Sequence, residues 1–325
     1  MTVPQTDLKT LIRRLEKRHQ KKQAANALVA GVMVLGAMAL VSPFFMKEDA
    51  PIAVTEAPTV VPTAASNAFE NVTIEGKAAV VYDLATGEVL YEKNSRSQLP
   101  LASLTKLLTV YAAANALNAN SPVTITPSAL ASEGESGFVA GESFAFADLA
   151  RLSLVSSSND ATAAIAETAA LARATSGKNM LASAASAVGL TQTYALNGTG
   201  LDESTSVAGG YGSAIDIAKL SGALLAEAPE IARATIQPSI SIQSREGVTH
   251  TLPSTNPGIV RIPNALLSKT GYTDLAGGNL AVVYDAGIGH PVAIVVLGSS
   301  VQGRFTDVHR LLNRANEYFA GVSTQ

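Results

Sequence analysis

The chain has 325 residues, 47% of them hydrophobic and only 15% charged, against roughly 25% charged in an ordinary soluble domain. It is too apolar to stay disordered, and with no cysteine it can build neither a disulfide scaffold nor a Cys-ligated metal or iron–sulfur site. The net charge of −3 conceals a basic end, because residues 1–23 carry +5 and the remainder −8.

From Gln23 to Met46 no charged residue occurs, a run of 24 with the uninterrupted apolar centre Ala27 to Val41. About 20 helical residues cross a hydrocarbon core of about 30 Å, so residues 24–46 are expected to form a single-pass anchor. The lysines and arginines before it and Glu48-Asp49 after it place a basic tail, 1–23, in the cytoplasm and the bulk of the chain outside the cytoplasmic membrane. A cleaved signal peptide is the competing reading, with Ala37-Met38-Ala39 as its cleavage site; Phe44-Phe45-Met46 continue the apolar stretch beyond that point and favour a retained helix. Residues 47–71, with Pro51, Pro58 and Pro62, read as a semi-extended Ala/Pro/Thr-rich spacer. Residues 72–325 are long enough for one large domain.

In that domain Lys77–Asp83 and Glu88–Lys93 have strand patterns joined by Leu84-Ala85-Thr86-Gly87. Leu101–Leu117 is predicted helical, as are Phe146–Ser156, Asp160–Arg173, Asn179–Val188 and Ala214–Leu225. Strands return at Ala265–Tyr272, Asn279–Tyr284 and Val292–Leu297, and Arg304–Phe319 closes the chain as an amphipathic helix. Strands, then helices, then strands and a helix predict an α/β (α+β) domain, an antiparallel sheet flanked by helices with an inserted helical subdomain.

The chemistry-bearing residues are few. The four histidines show no metal-ligand spacing, His290 and His309 read as surface residues, and no G-x-S-x-G nucleophile elbow is present. Three short motifs remain, in fixed order. Ser103-Leu104-Thr105-Lys106 opens a helix, where the i, i+3 spacing lets the Lys106 amine reach the Ser103 hydroxyl. Ser157-Ser158-Asn159 precedes a helix and by itself reads as an N-cap. Lys269-Thr270-Gly271 lies in a strand, where Gly signals close approach of backbone or ligand and the other two offer a cation and a hydroxyl to a carboxylate.

Together the three motifs form the penicillin-recognising serine-enzyme pattern, and over about residues 72–320 the chain closely resembles the low-molecular-weight penicillin-binding proteins, the serine-type D-alanyl-D-alanine carboxypeptidase family. Val81-Tyr82-Asp83, Gly87 to Tyr91, Leu99 to Ser103, Asn159-Asp160-Ala161, Gly200-Leu201-Asp202 and Lys269 to Gly277 carry the likeness beyond the motifs. The resemblance implies a β-lactamase/transpeptidase-like fold and an acyl-enzyme on Ser103 formed with peptidoglycan stem peptides ending in D-Ala-D-Ala, or with β-lactams as covalent inhibitors. No metal, cofactor or nucleic acid is expected. It further implies Lys106 as general base, its pKa lowered by burial and by Lys269. Ser157 would be the proton donor to the leaving amine, and Asn159 the holder of Lys106 and of the substrate amide. Backbone N–H groups of Ser103 and Tyr272 would form an oxyanion hole. Lys269, Thr270, Gly271 and Tyr272 would line the substrate site, with Arg304, 35 residues beyond Lys269, for the substrate carboxylate.

A D,D-endopeptidase would use the same residues, and a catalytically dead wall-binding module would have no need of them. A class A β-lactamase would need Glu where Thr193 precedes Leu196-Asn197. The β-rich second domain and C-terminal amphipathic anchor common in the family are not expected here, which leaves tethering to the N-terminal helix.

Overall fold

The structure, a computed structural model, describes residues 68–321 apart from Glu135 and Ile288. The expected anchor at 24–46, the basic tail and nearly all of the spacer lie outside the described residues. Among those described, no helix is long and apolar enough to cross a membrane.

Strands β1 (Ala78–Asp83) and β2 (Val89–Lys93) form the first hairpin. Asp83 shapes its turn, its backbone carbonyl accepting from Gly87 N at 2.9 Å and its carboxylate accepting from Ala85 N and Thr86 N at 2.8 and 3.1 Å. The short β3 (Leu99–Pro100) leads into a 3₁₀ turn (Ala102–Leu104) and α1 (Thr105–Ala114). A helical lobe follows: β4 (Pro122–Thr124), α2 (Pro127–Leu130), β5 (Ser143–Ala145), α3 (Phe146–Ser156), α4 (Asn159–Ala172) and α5 (Gly177–Val188). Then come β6 (Tyr194–Ala195), β7 (Gly210–Gly212), α6 (Ala214–Glu227), α7 (Pro229–Ala234) and the hairpin β8 (Ser239–Gln243) and β9 (Thr249–Pro253). The chain ends in β10 (Ala265–Thr273), β11 (Gly277–Asp285), β12 (Pro291–Ser299) and α8 (Gly303–Ala320).

The main sheet has the order β10-β11-β12-β1-β2 and is antiparallel throughout. Its first strand in sequence pairs with its last, Ala78 opposite Leu297 and Asp83 opposite Val292. Alternate residues divide between two cores. Val80, Leu267, Ala281, Val283, Val295 and Leu297 join the helical lobe and α6, while Val81, Leu280, Val282, Ile294 and Val296 meet Val308, Leu311, Leu312 and Ala315 of α8. Burial on both faces explains why these strands read as unbroken apolar runs rather than alternating ones. Each fully buried aliphatic side chain here contributes about 1.5–3 kcal/mol.

Two expectations need correction. The predicted helix Leu101–Leu117 begins as a 3₁₀ turn with Ala102 at φ +48° and ends at Ala114, where the Asn115 side chain turns back onto the Tyr111 carbonyl at 2.9 Å. His290 is no free surface histidine, since its Nε2 lies 2.8 Å from the Asp83 carboxylate.

Candidate active site

Ser103 sits in the 3₁₀ turn, one turn before Lys106. Ala102, immediately before it, is held in the left-handed region, a strain of order 1–3 kcal/mol of the kind found where surrounding structure fixes a reactive side chain. Strand β10 provides that fixing. A Cβ on Gly271 would come within 2.9 Å of the Leu101 carbonyl and 3.3 Å of Leu104 N, so only glycine lets the strand lie against the turn. Glycine at this position thus brings Ser103 and Tyr272 together from chain positions 169 apart.

Lys106 is fully buried, and its Nζ has three oxygen neighbours: Ser103 Oγ at 2.9 Å, Asn159 Oδ1 at 2.7 Å and the Thr199 carbonyl at 2.7 Å. The Thr199 carbonyl was not legible in the sequence as part of a site. It is aimed by Asn197, whose Oδ1 accepts from Thr199 N at 3.1 Å and Gly200 N at 2.7 Å and so folds the loop after β6.

Ser157 joins α3 to α4 with φ +61°, a left-handed conformation that turns the chain sharply between the two helices. The expected N-cap is real but belongs to Ser158, whose Oγ accepts from Ala161 N at 3.1 Å. That leaves Ser157 for another partner, and its Oγ accepts from Lys269 Nζ at 2.7 Å. Lys269, also buried, donates in addition to the Thr270 carbonyl at 2.9 Å. The Thr270 hydroxyl lies 2.6 Å from that of Thr255, a neighbour the sequence did not single out.

Arg304 is 9% exposed rather than a surface residue at a helix start, and its Nη1 donates to the Gly271 carbonyl at 2.7 Å. Its guanidinium stacks on the Phe305 ring, 4.7 Å from the centroid. The helix start that carries it is tied down one turn later. The Asp307 carboxylate accepts from Glu75 N, Gly76 N and Ser299 Oγ at 3.0, 2.9 and 2.8 Å.

Three basic side chains therefore converge, and among the described residues none of the three is ion-paired to a carboxylate. Burial alone lowers the Lys106 amine to about 7. The expected repulsion between the lysines acts instead on Lys269, held well below the usual lysine range by burial and then by Lys106 and Arg304. An uncompensated cationic cleft favours an incoming carboxylate and a developing oxyanion, and one amine near neutrality can carry a proton at ordinary pH. Thr193, at the position where a deacylating Glu would stand, instead donates to Asp216 at 2.9 Å.

A serine, two buried lysines and a Ser-Ser-Asn turn gathered between a helical lobe and an antiparallel sheet define the class of penicillin-recognising serine enzymes. The family model of the D-alanyl-D-alanine carboxypeptidases, peptidase S11, matches residues 63–301, and the chain belongs to that family. It is 30% identical over 247 residues to the D-alanyl-D-alanine carboxypeptidase DacF of Bacillus subtilis, covering 74% of this chain and 62% of that one. It is also 30% identical over 285 residues to DacD of Salmonella typhimurium, covering 82% and 69%. The chain thus spans between 62% and 69% of the length of these two curated relatives. Its fold is shared with a D-alanyl-D-alanine carboxypeptidase of Mycobacterium tuberculosis, with TM-score 0.66, 25% identity, and coverage of 76% of this chain and 94% of that one. The ampicillin-bound penicillin-binding protein D2 of Listeria monocytogenes also matches, with TM-score 0.62, 25% identity, and coverage of 75% and 98%.

Proposed function

We propose that this protein is a serine-type D-Ala-D-Ala carboxypeptidase that removes the terminal D-alanine from peptidoglycan stem pentapeptides and is acylated by penicillins. The observation that carries the reading is the surroundings of Lys106 Nζ. A neutral amine has two N–H donors and one lone pair. Asn159 Oδ1 and the Thr199 carbonyl can only accept, so they take both donors and leave the lone pair directed at the Ser103 hydroxyl.

In the first step the Ser103 O–H proton passes to Lys106 as Oγ bonds to the carbonyl carbon of the penultimate D-Ala. The negative charge formed on the carbonyl oxygen falls to the backbone N–H groups of Ser103 and Tyr272. Ser157, hydrogen-bonded to Lys269, gives its proton to the leaving amine, and the proton that Lys106 took from Ser103 replaces it, which returns Lys106 to its neutral form. The C–N bond breaks and D-alanine departs. Water then cleaves the Ser103 ester. A β-lactam takes the same first step, but its leaving amine stays attached.

The test is release of D-alanine from a pentapeptide compared with cleavage of a crosslinked dimer. Trimming of the first supports the reading, whereas cleavage of only the second makes the protein an endopeptidase. Arg304→Ala sharpens the comparison. A guanidinium holding the free substrate carboxylate contributes about 1.5–3 kcal/mol as a charge-assisted hydrogen bond. The variant should then lose about 10- to 100-fold in kcat/KM on pentapeptide, while a thioester lacking that carboxylate is turned over nearly as before. Equal loss on both substrates would make Arg304 structural, a support for the Gly271 carbonyl alone.

The domain division into basic tail 1–23, anchor 24–46, spacer 47–71 and penicillin-binding domain 72–325 belongs to the same proposal. So does a location at the outer face of the cytoplasmic membrane, argued from the charge-free run and its basic flank. The expected result is that the protein stays with membranes in high salt and is released by detergent. A mature N-terminus beyond Met46 would overturn the anchor.

A further inference from the structure

We propose that Glu142 and His250, a buried acid–imidazole pair outside the catalytic cleft, act as positioning residues that hold the loop 131–142 against Asn159 and so set the orientation of the Asn159 amide toward Lys106. The inference rests on the functional reading above. Glu142 and His250 are 7% and 8% exposed. His250 Nε2 lies 3.0 Å from Glu142 Oε1. The imidazole is enclosed by two rings, with centroids 4.7 Å from Phe138 and 5.6 Å from Phe144. A carboxylate removed from water in this way needs hydrogen-bond donors, and the second is Val139 N, which donates to Glu142 Oε2 at 2.8 Å. The pair thus joins the β8–β9 hairpin, which carries His250, to the far side of the loop.

The other side of the loop touches the motif itself. Ser136 Oγ donates to Ser158 Oγ at 2.6 Å, and Ser136 N donates to the Asp160 carboxylate at 3.2 Å. The Glu133 carbonyl accepts from Asn159 Nδ2 at 2.5 Å. That last contact has a chemical consequence. An asparagine amide has one accepting end and one donating end. With Nδ2 committed to Glu133, Oδ1 must face Lys106, where it lies 2.7 Å from Nζ. Reversed, the amide would present N–H groups to the amine, and one of the two acceptors that direct the lone pair to Ser103 would be lost.

The loop cannot supply this orientation unaided. It carries three glycines and, among its described residues, no helix or strand. Its base is pinned where Gly141 N donates to the Ile125 carbonyl at 2.9 Å and Ile125 N to that of Glu142 at 2.8 Å. From Val139 back to Glu133 the described backbone tie is Glu142 N donating to the Val139 carbonyl at 3.2 Å; the other described ties run through side chains, and the Glu142–His250 pair is the buried one.

The test uses the whole protein with His250→Ala, His250→Gln and Glu142→Gln. Two measurements are made on each variant: the second-order rate of labelling by a fluorescent penicillin, and hydrogen-exchange protection of the Ser136 and Val139 amides. In His250→Ala both amides should lose protection and labelling should slow by about 10- to 100-fold, the scale expected when a reacting group is displaced by about 1 Å. His250→Gln retains a donor for Glu142, and Glu142→Gln retains an acceptor for Val139; both should recover most of the rate. Loss of protection with an unchanged labelling rate overturns the inference. So does unchanged protection, or slowing that glutamine does not rescue and that follows only the unfolded fraction. A wild-type protein that penicillin does not label overturns the functional reading and this inference with it. A labelled wild type whose His250→Ala variant reacts as fast overturns the inference alone.

Discussion

Replacing Ser103 by alanine is expected to abolish covalent labelling by penicillin outright, since the substitution removes the atom that would carry the acyl group. The fold should survive it. Ser103 is in a 3₁₀ turn fixed by the close approach of Gly271, a backbone contact that does not involve the hydroxyl. What the hydroxyl gives up is one hydrogen bond to Lys106, worth about 0.5–1.5 kcal/mol, or up to about 3 with a charged partner. Lys106 keeps Asn159 Oδ1 and the Thr199 carbonyl. The two properties therefore separate cleanly: thermal unfolding close to wild type, no labelled band at any penicillin concentration or time. A labelled Ser103→Ala protein would place the nucleophile elsewhere and remove the central claim about this cleft.

What the sequence could and could not disclose about this site follows from separation along the chain. Ser103 with Lys106, and Ser157 with Asn159, are local spacings on a turn or helix start, so motif and geometry carry the same information. Lys269 and Arg304 were expected from the family resemblance, and the fold brings both near the Ser103 turn because β10 runs along that turn and α8 begins just after β12. The Thr199 carbonyl could not be found this way, as a backbone acceptor leaves no mark in residue type. Nor could the Glu142–His250 pair, whose members are 108 positions apart and lie on a loop and a hairpin that sequence patterning did not identify. Strands of two or three residues, such as Gly210–Gly212, are invisible to periodicity, and glycine there contradicts strand propensity. It is tolerated because a Cβ on Gly210 would fall 2.3 Å from Thr105 Oγ1. Tertiary packing overrides local preference at the places that shape the nucleophile turn.

Lys106 is the second residue whose loss should be severe, in a manner distinct from Ser103. With the nucleophile still present, Lys106→Ala should label slowly rather than never, and the second-order acylation rate should fall by about 10²–10⁴, the usual contribution of a general base. Alanine would also leave a cavity and strand two acceptors, the half-buried Asn159 Oδ1 and the buried Thr199 carbonyl. Lys106→Met is the companion variant, filling the volume with an unbranched apolar chain that carries no lone pair able to take the proton. If the amine matters as a base, both variants lose the same large factor. If it matters as packing, methionine restores most of the rate. The wild-type pH profile adds an independent check. Burial brings this amine to about 7, and only its neutral form can take the Ser103 proton. The acylation rate should therefore be level above that pH and fall about tenfold per unit below it, as the protonated fraction grows. The acidic limb should be absent from the residual rate of Lys106→Met. An acidic limb that persists in that variant, or a loss of only a few fold in both, would assign the base to another group, with Lys269 through Ser157 as the alternative that the 2.7 Å contact offers.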